Sequence, residues 1–342
     1  MHLLVVGGAG YIGSVTVAEA LAAGHRVTVY DSLVTGHRAA ISPGARFVQA
    51  DFSDAAALDR LLSGDHPDGV VYYGGFIAAG ESMEKPGLYF ANNVSGVITL
   101  LNALVAHGVR RFVFSSSAAV YGDPKTLPIP EDAPLVPTNP YAETKVVVER
   151  LLAWYDSRCG LRSVSLRYFN AAGATETLGE DHRPETHLIP MVLRVALGRQ
   201  PALDLYGTDY PTPDGTCVRD YVHVVDLARA HLLALARCDD LRASARGGSA
   251  SGGGQAGGSA VYNLGNGFGF SNLQVIEAAR GVTGQPITVR ECPRRPGDPE
   301  SLIASSEKAR RELGWEPRFP RLEDIIESAW RWHQAHPEGY PE

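Results

Sequence analysis

Cysteine is scarce: Cys159, Cys217, Cys238 and Cys292 are the only four in 342 residues, and no two stand in a CxxC pair. That spacing excludes a disulfide framework and a cysteine-ligated zinc site, and it fits reduced thiols in a cytoplasmic protein. A basic excess is also missing, since 31 Lys and Arg against 38 Asp and Glu leave a net charge of −7. Such a balance argues against a nucleic-acid partner and an acidic membrane surface, so anionic ligands must be met by individual arginines and helix termini. No apolar run is read as approaching the roughly 20 residues of a membrane span. No charged leader precedes the apolar run at 3–6 either, so a cytoplasmic location is expected. What remains is ordinary: 44% hydrophobic residues, ample for a packed core.

Short apolar runs at 3–6, 26–30, 46–48, 69–73, 111–114 and 163–167 alternate with helix-like segments at 14–23, 55–62, 94–107 and about 141–158. This rhythm predicts an α/β fold, a Rossmann-type doubly wound parallel sheet. Beyond Asn170 the pattern turns irregular, punctuated by Pro and Gly, with helical pieces at 187–197, 225–236, 273–281 and 322–333. It reads as a smaller C-terminal substrate-binding lobe. Residues 247–259 are almost all Gly, Ser, Ala and Gln, a composition expected to form a flexible surface loop.

GGAGYIG at 7–13 follows an apolar strand and opens a helix, the context that marks a pyrophosphate-binding turn. Gly7, Gly10 and Gly13 permit a tight turn and close backbone approach, while free N–H groups at the helix start attract the anion. Asp31 ends the second strand, where a carboxylate accepts hydrogen bonds from an adenosine ribose and repels a 2′-phosphate, so NAD is favoured over NADP. Arg38 is then read as solvent-exposed rather than a phosphate clamp. Asp51-Phe52 is placed either to contact adenine or simply to form a turn.

Tyr141-Ala-Glu-Thr-Lys145 places two chemical groups on one helix face, and the serines Ser115, Ser116 and Ser117 lie upstream. Free tyrosine titrates near ~10, so a base working near pH 7 requires roughly 4 kcal/mol of differential stabilisation. The Lys145 ammonium beneath the phenol, together with a cationic nicotinamide, would supply it. Neither His187 nor His223 shows metal-ligand spacing, so no metal is implied. His223 is read as packing and His187 as at most a polar contact to substrate.

The glycine loop, Phe114-Ser-Ser-Ser-Ala-Ala-Val-Tyr-Gly122, Asn139-Pro-Tyr-Ala-Glu-Thr-Lys145 and Arg167-Tyr-Phe-Asn170 together resemble the extended short-chain dehydrogenase/reductase family. Glu185-Thr-His-Leu-Ile-Pro190, Tyr206-Gly-Thr-Asp-Tyr-Pro-Thr212, Val218-Arg-Asp-Tyr-Val-His223, Tyr262-Asn-Leu-Gly265 and Arg294-Arg-Pro-Gly-Asp298 are similar to its branch of UDP-hexose 4-epimerases. The resemblance implies bound NAD, a UDP-sugar substrate, and transient oxidation of carbon 4 followed by reduction on the other sugar face. Tyr141 would be the base, Lys145 would lower its pKa and bind the nicotinamide ribose, and Ser117 would hydrogen-bond the reacting oxygen. Further cofactor contacts are implied at Tyr11, Ile12, Ser32, Phe52, Tyr73, Gly74, Asn92, Ser115 and Phe169. Substrate contacts are implied at Asn170, His187, Leu188, Leu205, Tyr206, Arg219, Arg295, Asp298 and Leu302. Residues 1–174, with return segments near 219–238 and 261–265, would bind NAD, and 175–342 would mainly bind the UDP-sugar.

Departures from the family pattern are visible. Tyr72, Tyr73-Gly74 and Ile77 stand where the family usually shows a histidine, a phenylalanine-alanine pair and a lysine, and Ala119 replaces a threonine. Leu302 stands where some relatives carry a bulkier tyrosine, which makes UDP-N-acetylhexosamines conceivable substrates. The helices at 94–107 and 141–158 would pair with a second copy in a homodimer if the family pattern holds. Two alternatives compete: a nucleotide-sugar 4,6-dehydratase or decarboxylase, which needs an acid/base pair that Ala118-Ala119 lacks, and a non-catalytic NAD sensor.

Overall fold

The computed structural model describes residues 1–245, 258–295 and 297–341. His2–Val6 (β1) is buried along its whole length and leads through the glycine turn into Tyr11–Ala22 (α1) and Arg26–Asp31 (β2). Arg46–Gln49 (β3), Ala55–Gly64 (α2) and Gly69–Tyr72 (β4) follow, with Asp54 capping α2 through Ala56 and Ala57 N–H. Next come Ala79–Glu84 (α3), Pro86–Phe90 (α4), a π-turn at Ala91–Gly96 and Val97–Ala106 (α5). Arg111–Ser117 (β5), Pro140–Cys159 (α6), Arg162–Tyr168 (β6) and Asn170–Ala172 (β7) complete the first half.

The second half holds Leu188–Ala196 (α7), Leu203–Tyr206 (β8), Val218–Arg219 (β9), Tyr221–His223 (β10) and Val224–Ala245 (α8). Ser259–Leu264 (β11), Phe270–Ser271 (β12), Asn272–Thr283 (α9) and Val289–Cys292 (β13) follow. Ser301–Leu302 (β14), Glu307–Leu313 (α10) and Leu322–Ala335 (α11) end the chain.

A seven-stranded sheet runs β11-β6-β5-β4-β1-β2-β3, with every pairing parallel. Strand order reverses between β1 and β4, which opens a crevice at their carboxyl ends. Alternate residues feed two apolar layers: Leu3, Val5, Val29 and Val113 face α1 and α8, while Leu4, Val6, Val70 and Phe112 face α2, α5 and α6. Burial on both faces explains why these strands read as near-continuous apolar runs. A separate core, built from α7, α9, α11 and the β8–β13 pair, forms the smaller lobe.

Chain order and spatial order part company here. α8 packs on α1 and β11 pairs with β6, so both belong with the large sheet although they follow lobe segments in sequence. Asp226, wholly buried in the first turn of α8, accepts the N–H groups of Arg318 at 2.8 Å and Phe319 at 3.0 Å. Its backbone carbonyl takes the Trp315 indole N–H at 2.8 Å. The approach to α11 is thereby tied to the sheet.

Three expectations need correction. The helix expected at 94–107 begins earlier, because the segment from Pro86 is already helical and passes through the π-turn into α5. As one 21-residue stretch, Pro86–Ala106 is long and apolar enough for a membrane span by length and composition, contrary to the reading of the runs alone. It carries polar residues with internal partners: Asn93 donates to Phe76 O at 3.0 Å and to Thr144 Oγ1 at 3.2 Å. Of the expected 247–259 loop, 247–257 lie outside the described residues and Ser259 belongs to β11. Asp226→Ala should lower the unfolding free energy by about 2 kcal/mol, since two partly buried N–H groups lose their acceptor; chemical denaturation midpoints check this, and an unchanged midpoint would contradict the tie.

Candidate active site

The glycine turn sits at the mouth of the crevice between β1 and β4. Gly7 has φ +78°, and a Cβ there would stand 2.7 Å from the Tyr73 carbonyl carbon. A Cβ on Gly13 would stand 2.1 Å from Gly7 O, so α1 can begin this close to β1 only without a side chain. Gly10 caps α1 with no side-chain hydrogen bond, and no acidic residue occupies the first turn. N–H groups of Tyr11, Ile12 and Gly13 are thus left as the anion-binding end of a helix. Asp31 is fixed beside them, its carboxylate accepting Ala9 N–H at 2.9 Å and Leu33 N–H at 2.8 Å, with half-buried Ser32 next to it.

The flanking expectations divide. Arg38 is exposed, its guanidinium 5.0 Å over the Phe47 ring. Asp51 is exposed and accepts Ser53 N–H at 2.7 Å, the turn-forming alternative, whereas Phe52 is buried edge-on to Tyr72 and lies under Gly74. The Tyr73 hydroxyl lies 2.6 Å from Thr16 Oγ1 and its ring packs on His231, so only its backbone borders the glycine turn. Asn92 Nδ2 donates to Asn93 Oδ1 at 2.9 Å. Ile77 is 45% exposed and brings no charge.

At the reacting centre, Asn139 caps α6 by accepting Ala142 N–H, and Pro140 stands at its first position, which fixes Tyr141 in the opening turn. Lys145 follows one turn later and is buried, donating from Nζ to Ser115 O at 2.8 Å. Its Nζ lies 5.0 Å from the Phe114 ring centre and 5.6 Å from that of Tyr141. Burial pushes the Lys145 pKa down to about 8, with Glu149 opposing. Burial raises the Tyr141 phenol above its ordinary value, and its hydrogen bond with Ser117 partly offsets this. Lys145 Nζ thus donates to a carbonyl at the end of β5 while lying beside the Tyr141 ring.

Residues 115–117 divide their labour. Ser115 supplies that carbonyl, Ser117 Oγ accepts Ala119 N–H at 3.2 Å, and Ser116 donates to Glu149 Oε1 at 2.6 Å. Glu149 is gripped in turn by Arg167 at 2.9 and 2.5 Å, and Arg167 also donates to the Tyr121 hydroxyl at 2.9 Å and Glu131 O at 3.0 Å. Sequence reasoning missed this buried pair, although Glu149 stands eight residues beyond Tyr141 on one helix face. Phe169, Ala118 and Leu302 pack together beside it. Asn170 begins β7, its N–H bonded to Asp220 O at 3.0 Å.

On the lobe side, Arg219 forms an ion pair with Asp298, and the Arg295 guanidinium lies 3.9 Å over the Tyr206 ring. Arg294 is diverted to Asp209 and to the Tyr210 ring at 4.1 Å. Leu205 alternates with Tyr206, and its side chain is buried in the lobe core. Leu188 opens α7 behind the cap residue His187. His187 is not a free polar contact: its Nδ1 lies 2.8 Å from Glu180 Oε1 and 2.9 Å from Glu185 Oε1. Burial opposes the charged imidazole, but Glu180 and Glu185 outweigh it and raise the pKa well above the ordinary value. His223 is buried, its ring stacked 4.2 Å from that of Phe319.

Residues 3–246 match the NAD dependent epimerase/dehydratase family. This chain belongs to that family. It is 52% identical over 342 residues to a UDP-glucose 4-epimerase of Lacticaseibacillus casei, covering 99% of each chain. A crystal structure of a UDP-glucose 4-epimerase superposes with a TM-score of 0.92 at 46% identity, covering 100% of both chains. A Bifidobacterium longum UDP-glucose 4-epimerase in complex with NAD+ and UDP gives 0.89 at 37% identity, covering 99% of this chain and 100% of that one. NAD is the cofactor of this epimerase, and the side-chain-free cradle at Gly7 and Gly13, the uncapped start of α1 and the Asp31 carboxylate fit it. Because the Ser117 hydrogen bond holds the Tyr141 pKa down, Ser117→Ala should move the acid limb of the pH–kcat/KM profile to higher pH. An unmoved limb would remove Ser117 from the phenol's environment.

Proposed function

We propose that the protein interconverts UDP-glucose and UDP-galactose, with Ser117, Tyr141 and Lys145 as its catalytic residues. The observation that carries this reading is the convergence of those three side chains at the carboxyl end of β5 and the opening of α6, beside the glycine turn. Bound NAD supplies reversible two-electron oxidation at carbon 4 of the sugar. Tyr141, as phenolate, takes the proton of the 4-hydroxyl and later returns it, while Ser117 hydrogen-bonds the same oxygen. Lys145 reaches the nicotinamide ribose and keeps positive charge near the phenolate. Burial works against that phenolate in the chain alone, so the positive charge of the loaded site is needed to bring Tyr141 into range.

Arg219, Arg295, Asp298, Asn170, Leu188 and Tyr206 hold the UDP portion in this reading, with the two guanidiniums suited to diphosphate oxygens. Residues 1–174, 219–238 and 261–265 carry the cofactor, and 175–342 mainly the nucleotide sugar. A 4,6-dehydratase is disfavoured because Ala118 and Ala119 offer no acid or base. A sensor is disfavoured because the proton-transfer residues are all present and adjacent. The enzyme acts in the cytoplasm as a homodimer, paired through α5 and α6 and their flanks; exposed Leu88, Phe90 and Trp154 support that surface.

Incubation with UDP-galactose, with and without added NAD, and chromatographic resolution of the C4 epimers tests the function. UDP-glucose is the expected product, and no conversion even with NAD supplied would leave the sensor reading. Tyr141→Phe should retain NAD, seen in the protein's absorbance, and lose about 10²–10⁴-fold in turnover; normal turnover would exclude Tyr141 as the base. Leu302, packed on Ala118 and Phe169, leaves more room than tyrosine would, so UDP-N-acetylhexosamines are also accepted. Leu302→Tyr should lower UDP-N-acetylgalactosamine turnover by roughly tenfold or more while sparing UDP-galactose. Equal loss on both would refute the size filter.

A further inference from the structure

The segment between β7 and α7 gathers four side chains that the proposed reaction does not use for proton transfer: Glu180, His182, Glu185 and His187. One nitrogen or oxygen from each lies within 4.8 Å of all the others. His187 Nδ1 is 2.8 Å from Glu180 Oε1 and 2.9 Å from Glu185 Oε1, and His182 Nδ1 is 3.1 Å from Glu180 Oε1 and 3.9 Å from Glu185 Oε2. Four ligands held about 2.0–2.1 Å from a tetrahedral ion stand roughly 3.4 Å apart, so small side-chain rotations and release of the proton that His187 Nδ1 shares with Glu180 and Glu185 separate this cluster from a coordination shell.

A second observation is independent of that spacing. The Glu180 and Glu185 side chains are 5% and 1% exposed, so both carboxylates have left water. Glu185 Oε1 is fixed by the N–H groups of Thr186 at 2.7 Å and His187 at 2.8 Å, yet its buried Oε2 has no hydrogen-bond partner. A carboxylate oxygen left bare in the interior costs free energy until a cation or donor meets it. This one faces His182.

We propose that Glu180, His182, Glu185 and His187 bind one divalent transition-metal ion of the zinc type, through two imidazole nitrogens and two carboxylate oxygens. Magnesium and calcium seek six or more oxygen ligands, whereas two imidazoles with two carboxylates suit zinc. The His187 side chain is 42% exposed, which gives an ion a route from solvent. The ion's place in the fold assigns it a structural task. The His182 ring meets Tyr11 edge-on at 6.3 Å, and the Tyr11 hydroxyl donates to Gly173 O at 2.5 Å. Ligation therefore pins the segment leading into α7 beside the first turn of α1, joining the cofactor side of the crevice to the lobe without entering the chemistry.

The test uses the full-length protein, stripped with a chelator, re-titrated with Zn2+ against a chromophoric competitor and assayed for metal by mass spectrometry. One zinc per chain is expected, with a higher thermal midpoint on Zn2+ addition. Glu185→Gln, nearly isosteric, and His182→Asn should each weaken zinc by more than the roughly 10–100-fold that changes outside a metal's ligand set can cost. Circular dichroism and retained NAD verify that each variant is folded, and if one fails to fold the other carries the comparison. No stoichiometric zinc, or equal zinc on the folded variants, would overturn the site. Zinc binding is read without turnover, so its failure is distinguishable from failure of the epimerase reading.

Discussion

An ammonium group buried at the head of a parallel sheet is the constraint around which the reacting centre is organised. Lys145 has left water, and its pKa falls to about 8 under that burial. The Ser115 carbonyl at the end of β5 meets the charge directly, and Glu149, one turn further along α6, meets it at longer range. Glu149 could not be buried alone, and Arg167 on the neighbouring strand β6 grips it with two hydrogen bonds. Ser116 adds a third, so a strand end, a helix and the next strand are locked into one polar network beneath Tyr141. Burial raises the phenol's pKa above its ordinary value, and the hydrogen bond with Ser117 opposes that rise.

Buried carboxylates do similar work where the lobe joins the sheet. Asp220, between β9 and β10, accepts N–H groups from Asn266 at 2.8 Å, Gly267 at 3.0 Å and Ala304 at 3.1 Å, and burial raises its pKa to about 7. Asp226 holds the approach to α11 in the same manner. Arg219 of β9 pairs with Asp298 in the connection between β13 and β14. Asp220 and Asp226 replace water around irregular backbone that neither sheet nor helix could satisfy. The smaller lobe is thereby tied to the large sheet.

Much of this was legible in the amino-acid order. Local periodicity specified the βαβ units, because strands covered on both faces must be apolar throughout and α6 is bracketed by Asn139 and the left-handed Gly160. The glycine turn was legible for the same local reason: β1, Gly7, Gly13 and α1 are neighbours in sequence, and the absence of side chains is itself the requirement. Tyr141 and Lys145 share a face by helical spacing alone.

Tertiary structure decided what depends on partners distant in the chain. It sent the Lys145 ammonium to Ser115, joined Glu149 to Arg167, turned Leu205 inward, and assigned Arg294 and Arg295 to different aromatic rings. It also folded the alternating acids and histidines of 180–187 into one cluster whose spacing matches no familiar helical or CxxC pattern. Periodicity tells which face a residue occupies, but desolvation and charge pairing act between groups that meet only after folding. The sequence alone therefore determined the elements, the glycine turn and the placing of Tyr141 and Lys145 on one helix, while the electrostatic surroundings of those two side chains and the identity of their supports followed from the three-dimensional packing.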